Sequence, residues 1–530
     1  MNLETKTSEK PTSYDKVPYE SQSFAQTHPD RLATLGRLFG MSPALVTECR
    51  VLELGCACGG NLIPMAYQLP ESEFVGVDLS LRQVEMGREV IQNLGLKNIR
   101  IEHVNILDID SSWGVFDYII CHGVFSWVPD DVQEKILSIC SNNLAPQGIS
   151  YVSYNTYPGW HMREMIRHMM LYHTRQFEES TKRIEQARAL MNFLANSVPI
   201  ENNHYGLLLR SELNLIRRSR DSYLFHDHLE EVNDPVYFYQ FAELADKHSL
   251  QYLGEADFST MLTSGFPQET AETLRRISQN IISTEQYMDF IRNRFFRQTL
   301  LCHKGLTLKR DLGADDIKDL LVASAVYPDP GPVNLLPGKM QFFQTPGGLT
   351  VETESQLTKT ALTMLGEYWP RALDLDTLFK AARNRLDNSL NQKAYIERNP
   401  QVLFDDLLHC YTANVIEFHT WQADFVNNVS EQPKVSKLAA YQNGREQSVV
   451  NQRHEIVSLD PMTKHLIPLL DGTCDRVTLL EHLSELVENG TLVVSENGNP
   501  LTNSEAIRHV LAKAIEEALA KLARSALLIG

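Results

Sequence analysis

One stretch constrains this chain more than any other: residues 51–61, which read V-L-E-L-G-C-A-C-G-G-N. An apolar run passes directly into a turn of small residues, and a helical pattern follows in Leu62, Ile63, Met65 and Ala66. That order predicts a strand, a glycine loop and a helix N-terminus. Backbone N–H groups and the helix dipole converge there, which is why α/β sheets bind nucleotide-like ligands at this point. Gly55 and Gly59 can adopt backbone conformations closed to residues with a Cβ, so a ligand can lie against the main chain.

The unit then repeats. Residues 74–80 read as a second strand ending in Asp78, Leu79 and Ser80. Asp78 stands about 20 residues past the loop, where a carboxylate can accept hydrogen bonds from both hydroxyls of a ribose. A helix over 81–94 leads to a third strand at 99–104, followed by Asn105 and Ile106. A fourth strand covers 116–123, a helix 131–143 and a fifth strand 149–154. Strands and helices alternating at this spacing predict an α/β domain with a Rossmann-like, doubly wound parallel sheet, its site at the carboxyl ends of the strands.

A nicotinamide dehydrogenase requires G-x-G-x-x-G, whose second glycine admits a pyrophosphate. The loop E-L-G-C-A-C-G-G-N lacks that glycine, so the expected ligand is an adenosine without phosphates. Glu53-Leu54-Gly55-x-x-x-Gly59, Asp78 and Phe116-Asp117-Tyr118-Ile119-Ile120 together resemble the motifs of class I S-adenosylmethionine-dependent methyltransferases, over residues 48–155. The resemblance implies S-adenosylmethionine as cofactor and S-adenosylhomocysteine as product. Gly55, Cys56 and Gly59 would line the methionine side, Asp78 would hold the ribose, and Asn105 and Ile106 would stand at the adenine. Asn105 replaces an acidic residue, so its contact would be through the amide oxygen. Glu53, Asn61, Leu79 and Cys121 complete the expected cofactor set. Cys56 and Cys58 form a C-x-C pair, but zinc needs four ligands and no second Cys or His pair lies nearby; no metal is expected.

His122 and Trp127 follow the fourth strand, and Tyr154, Tyr157 and Trp160 cluster at the end of the fifth. These five are the expected catalytic residues, at the edge where methyl group and acceptor meet; the alternative for each is that it merely closes the domain. Methyl transfer from a sulfonium depends on positioning and desolvation. Aromatic walls disfavour a solvated ammonium, favouring the free amine, and tolerate a methylated cation through cation–π contact.

The run YNTYPGWHMREMIRHMM at 154–170 is more distinctive. With Tyr14-Asp15-x-x-Pro18-Tyr19, residues 121–129, 223–230 and 285–303, and His454-Glu455 with 459–472, it resembles bacterial methyltransferases carrying an appended methyltransferase regulatory domain. The rickettsial-type protein-lysine methyltransferases are among them. This resemblance implies lysine side-chain nitrogens of a protein as the acceptor. Methylation of a small molecule such as a secondary metabolite, or a regulatory role as a cofactor-binding interaction protein, are the alternatives.

The totals bound the rest. With 530 residues, several domains are expected: an N-terminal lid or cap at 1–45, the methyltransferase domain at 46–175, a helical regulatory domain at 176–325, a winged-helix-like α+β domain at 326–430 and a C-terminal helical domain at 431–530. In the first segment, an aromatic lead-in through Phe24 and His28 reads as either a lid or a staple. A net charge of −18 argues against nucleic acid as partner. Eight cysteines without a secretory signal suggest reduced thiols in the cytoplasm, and no apolar stretch approaches the roughly 18 residues of a membrane helix. The oligomeric state stays open, a homodimer being one option.

Three further features are ambiguous. The methionines at 162, 165, 169 and 170 read as a core stripe or a substrate groove. His226 and His228, with Glu230 and Glu231, suggest a metal only until their divergent helical directions are considered. Arg275, Arg276, Arg292, Arg294 and Arg297 read as a docking surface or a solvated helix face, and 427–452 as a polar linker.

Overall fold

The computed structural model describes residue 17 and residues 21–389, 399–496, 499–501 and 503–530. Tyr14, Asp15, Pro18 and Tyr19 of the N-terminal motif lie outside them. At the centre is a seven-stranded sheet in the order β3-β2-β1-β4-β5-β7-β6. Its strands are β1 Arg50–Leu54, β2 Glu73–Asp78, β3 Ile99–His103, β4 Phe116–Cys121, β5 Leu144–Asn155, β6 Leu250–Glu255 and β7 Phe296–His303.

Successive side chains on a strand point to opposite faces, so a strand buried on both sides must be apolar throughout. The sequence meets that demand. Val51, Phe74, Tyr118, Ile120 and Tyr151 join one core, with α1 (Pro29–Leu38), α2 (Leu62–Gln68) and α3 (Leu81–Leu94) packed on them. Leu52, Leu54, Val77, Ile119 and Val152 join the other, beneath α4 (Asp130–Asn142) and the helix Phe238–Lys247.

The expectation of helices throughout 176–325 needs correction, because β6 and β7 come from within that segment and complete the sheet. Runs of 6 and 8 residues are too short for periodicity to separate a buried strand from a piece of helix. β7 is antiparallel to both β5 and β6, so the sheet is mixed where a parallel one was expected. Between β5 and β6, the helices Trp160–Thr174, Ser180–Ser197, His204–Arg218 and Asp221–His228 form a module with its own core. Met170 belongs to that core, whereas Met162 is exposed.

The arginines of 292–297 turn inward, contrary to both readings of them. Arg297 is fully buried and donates to Glu255 (2.6 Å), Glu285 (3.0 Å) and both oxygens of Asp289 (2.8 Å). Arg294 adds contacts to Asp289 at 3.3 Å and Glu255 at 3.7 Å. Arg292 donates to the carbonyls of Thr260 and Leu262. Charge in a primary sequence does not reveal which side chains will be paired internally.

Residues 321–419 carry two three-stranded sheets and the helices Gln356–Tyr368, Leu375–Ser389 and Pro400–Thr412. Their apolar residues, Leu362, Leu378, Leu403 and Phe418 among them, run continuously into the core on the α1–α3 face. The last hundred residues have a separate core. The linker expected at 427–452 is instead part of that unit: Lys437–Asn443 is helical and Ser448–Val450 pairs antiparallel with Ile456–Ser458. These elements are too short to stand out in a polar stretch, yet Leu438, Ala439 and Val449 are buried.

Candidate active site

The backbone of the glycine loop is unusual at alternate positions. Gly55, Ala57 and Gly59 all have positive φ, at 71°, 50° and 78°. A Cβ on Gly55 would lie 2.4 Å from Val124 Cγ2, and one on Gly59 would lie 2.6 Å from Ile101 Cδ1, so both positions exclude a side chain. Ala57 tolerates its left-handed conformation with help from Asp78, whose Oδ2 accepts from the Ala57 N–H at 2.8 Å. Oδ1 of the same carboxylate accepts from Ser80 N–H at 2.8 Å. Asp78 thereby fixes the loop across the ends of β1 and β2.

Beneath the loop, Glu53 is buried, and its Oε1 accepts from Asn61 Nδ2 at 2.7 Å. Its Oε2 is buried without a hydrogen-bond partner among the described residues. Burial pushes the carboxyl up to about 8, against the Asn61 hydrogen bond and with the Asp78 charge adding to the rise. A buried acid of this kind fits a ligand that brings a cationic or donor group.

Cys56 is buried and packs where a Cβ on Gly76 would lie, 2.6 Å from its Sγ, and burial raises its thiol well above the usual range. Cys121, at the end of β4, is likewise buried and raised by burial. Leu79 is 45% exposed beyond the end of β2. Asn105 Oδ1 accepts from Leu107 N–H at 3.0 Å, which caps the turn Ile106–Asp108 and leaves one oxygen lone pair for another donor. Among the described residues no group of three or more His, Cys, Asp or Glu is arranged to hold a metal.

The N-terminal segment lies over this edge of the sheet. Val17 O is 2.7 Å from His226 Nε2 in the helical module, Ser21 Oγ accepts from Gly60 N–H at 2.8 Å, and Phe24 N–H donates to Asn61 Oδ1 at 2.9 Å. The Phe24 ring sits 3.8 Å from that of His122. His122 is bonded through Nδ1 to the Tyr151 hydroxyl at 2.9 Å, and desolvation lowers it to about 4, so its ring is neutral near pH 7.

The five expected catalytic residues part company. Tyr154 is 1% exposed, stacks on Phe241 with centroids 4.1 Å apart, and bonds Thr299 Oγ1 at 3.0 Å; its ring is a core element. Trp160 is also 1% exposed and meets half-buried Trp127 edge-on at 6.4 Å. Tyr157 lies half-buried, stacked on His161 at 4.0 Å, and donates its hydroxyl to Glu164 Oε2 at 3.0 Å. Burial, with Glu164 adding, holds that phenol protonated. Tyr157 lines a cavity of about 460 Å³ with Phe125, Asp234, Val236, Tyr237 and Glu243. Tyr237 and Asp234 were not anticipated as site residues. They reach the site through Asp234 N–H to Ser126 O (2.8 Å) and Tyr157 N–H to Val236 O (3.2 Å), pairings of distant segments that leave no local signature.

Residues 45–197 match a methyltransferase domain, 220–303 a predicted methyltransferase regulatory domain, and 431–527 a PKMT C-terminal winged helix domain. The regulatory match thus contains β6 and β7. The winged-helix match falls one unit later than the 326–430 segment that the order of elements suggested. An uncharacterized protein of Rickettsia prowazekii is 39% identical over 524 residues, covering 97% of this chain and 93% of its own. A second from the same organism is 43% identical over 241 residues, 46% of this chain and 96% of its own. PKMT2 from Rickettsia typhi in complex with AdoHcy superposes with a TM-score of 0.87 at 32% identity, covering 97% of this chain and 100% of that one. With a glycine loop, Asp78 and an orphaned Glu53 oxygen fitting the cofactor, the chain belongs to the family of S-adenosylmethionine-dependent methyltransferases that carry a methyltransferase regulatory domain and a PKMT winged helix.

Proposed function

We propose that this methyltransferase acts on lysine side-chain nitrogens of a protein. The observation that carries the reading is the cavity at the end of β5, where Tyr157, Phe125 and Tyr237 stand beside two carboxylates, Asp234 and Glu243, against one cation, Lys247. An apolar stem bearing a cation suits such a lining: rings pack along methylenes and take a cation on their faces, and carboxylates attract the charge. The PKMT name of the matched winged helix and of the Rickettsia typhi structure accords with this acceptor.

The cofactor supplies an electrophilic methyl group on a sulfonium. In this reading Glu53, Gly55, Cys56, Gly59, Asn61, Asp78, Leu79, Asn105, Ile106 and Cys121 hold it. The chain's part in the transfer is then to present a neutral amine in line. Tyr157, kept protonated, forms a wall of the site with Phe125 and Tyr237, whose rings would exclude water from the amine. In this reading Asp234, raised by burial, takes the proton that the lysine ammonium must lose. Tyr154 supports these groups from the core. Free cysteines throughout accord with a cytoplasmic setting, and no helix among the described residues is long and apolar enough to cross a membrane.

The test is incubation of the full-length protein with cell lysate and methyl-labelled S-adenosylmethionine, followed by mass spectrometry of the modified positions. Label on lysine nitrogens is expected. Label confined to small molecules or to non-lysine side chains would overturn the acceptor assignment.

A further inference from the structure

Asn61 follows the glycine loop directly and precedes α2, and its amide is saturated by four partners. Nδ2 donates to Glu53 Oε1 at 2.7 Å and to Thr27 Oγ1 at 3.0 Å. Oδ1 accepts from Phe24 N–H at 2.9 Å, and its fourth contact is His454 Nε2 at 2.9 Å. Both amide hydrogens are committed to acceptors, so the His454 ring must be the donor through Nε2–H, leaving Nδ1 bare. That nitrogen is buried without a partner among the described residues.

His454 belongs to the C-terminal unit, 393 residues away in sequence. It is fully buried and sits at φ 61°, a left-handed conformation that a residue with a Cβ rarely adopts. Its N–H closes a turn onto Asn451 O at 3.1 Å, and the same carbonyl accepts from Gln68 Nε2 at 2.8 Å. The turn therefore grips α2 at both ends, at Asn61 beside the loop and at Gln68 in the last turn. A strained backbone that serves one buried hydrogen bond between distant parts of the chain points to function more than to packing.

We infer that His454 is a positioning residue for cofactor binding: it orients the Asn61 amide, which orients Glu53 and the start of α2 under the glycine loop. The C-terminal unit thereby helps to build the cofactor half of the active site, whatever the methyl acceptor. No atom of His454 needs to touch the cofactor.

The experiment measures S-adenosylhomocysteine binding by calorimetry on the full-length protein carrying His454→Gln, which keeps a donor, or His454→Met, which keeps bulk without one. His454→Met should raise Kd about tenfold, the effect of one buried hydrogen bond, whereas His454→Gln should stay within about threefold of the parent. In turnover assays the same loss should fall on KM for S-adenosylmethionine, with kcat changed less. Should His454→Met not fold, Gln68→Leu, which cuts the grip at the other end of α2, should raise Kd two- to fivefold. A folded His454→Met protein with the parent Kd would overturn the inference, as would equal losses for Met and Gln. A parental Kd in Gln68→Leu would overturn it where His454→Met cannot be read.

Discussion

The role proposed for Asp78 is open to a sharp test, because the carboxylate already holds the Ala57 and Ser80 N–H groups and is asked to serve a ribose as well. Replacing Asp78 by Asn preserves size but turns one acceptor into a donor. That NH2 would face either Ala57 N–H or Ser80 N–H, each now 2.8 Å from a carboxylate oxygen. Hydrogen bonds to a charged acceptor contribute about 1.5–3 kcal/mol each, and an amide retains part of that. Losing charge toward a ribose diol and misaligning one loop contact should together weaken S-adenosylhomocysteine binding by about 2–4 kcal/mol, roughly 30- to 700-fold in Kd. Calorimetry on the purified variant measures this directly, and far-ultraviolet circular dichroism checks the fold. A folded Asp78→Asn protein with Kd within threefold of the parent would refute both the ribose contact and the argument that this carboxylate fixes the loop.

Other consequences are equally measurable. Burial holds the Glu53 carboxyl up at about 8, and a cationic ligand group favours its ionised form, so S-adenosylhomocysteine affinity should rise from pH 6 to pH 8. Glu53→Gln should flatten that rise in calorimetric titrations at the two pH values. Glu285 is lifted by burial from 4.5 to about 7, so between those values the folded state holds a proton that the unfolded chain has released. Stability from this group is greatest at the acid end and falls as pH climbs through 7. Protonation of Glu285 also leaves Arg294 and Arg297 matched by Glu255 and Asp289, two charges against two. Glu285→Gln should accordingly melt close to the parent at pH 5 and above it at pH 8; an equal shift at both would refute the assignment. Tyr157→Leu should lower kcat/KM for a protein acceptor about tenfold while leaving the S-adenosylhomocysteine Kd unchanged, which separates the two halves of the site in one steady-state comparison.

The sheet was legible in the sequence wherever strand, turn and helix repeat in order. β1 through β4 fall within a few residues of where the apolar runs place them. Their burial on both faces forces continuous hydrophobicity, a signal that survives without any tertiary knowledge. β6 and β7 escaped because Leu250–Glu255 and Phe296–His303 are short, mixed in character and separated from β5 by a helical module. The loop announced itself through Gly55 and Gly59, whose positive φ values are a local property. His454 could not be anticipated, since nothing near it in the chain refers to Asn61. The arginines at 292, 294 and 297 misled for the same reason: several of their partners, Glu255, Thr260 and Leu262 among them, lie 30 or more residues upstream. Tyr154 and Tyr157 differ by three positions, yet one is core and the other lines a cavity, because the chain leaves the sheet between them.

The route of the chain through the sheet also governs how this protein can be cut. The C-terminal half of β5 pairs with β7, from Ser150↔Leu301 to Asn155↔Phe296, and β7 is not synthesised until residue 303. A fragment ending at 197, where the matched methyltransferase domain stops, would present β5 as a bare edge, with apolar Tyr151 and Val152 beside unpaired amides and carbonyls. Such an edge is a template for another strand, so the fragment should aggregate on expression where the full-length chain does not. On a ribosome, the same ordering keeps the catalytic sheet incomplete until the regulatory segment has emerged to close it.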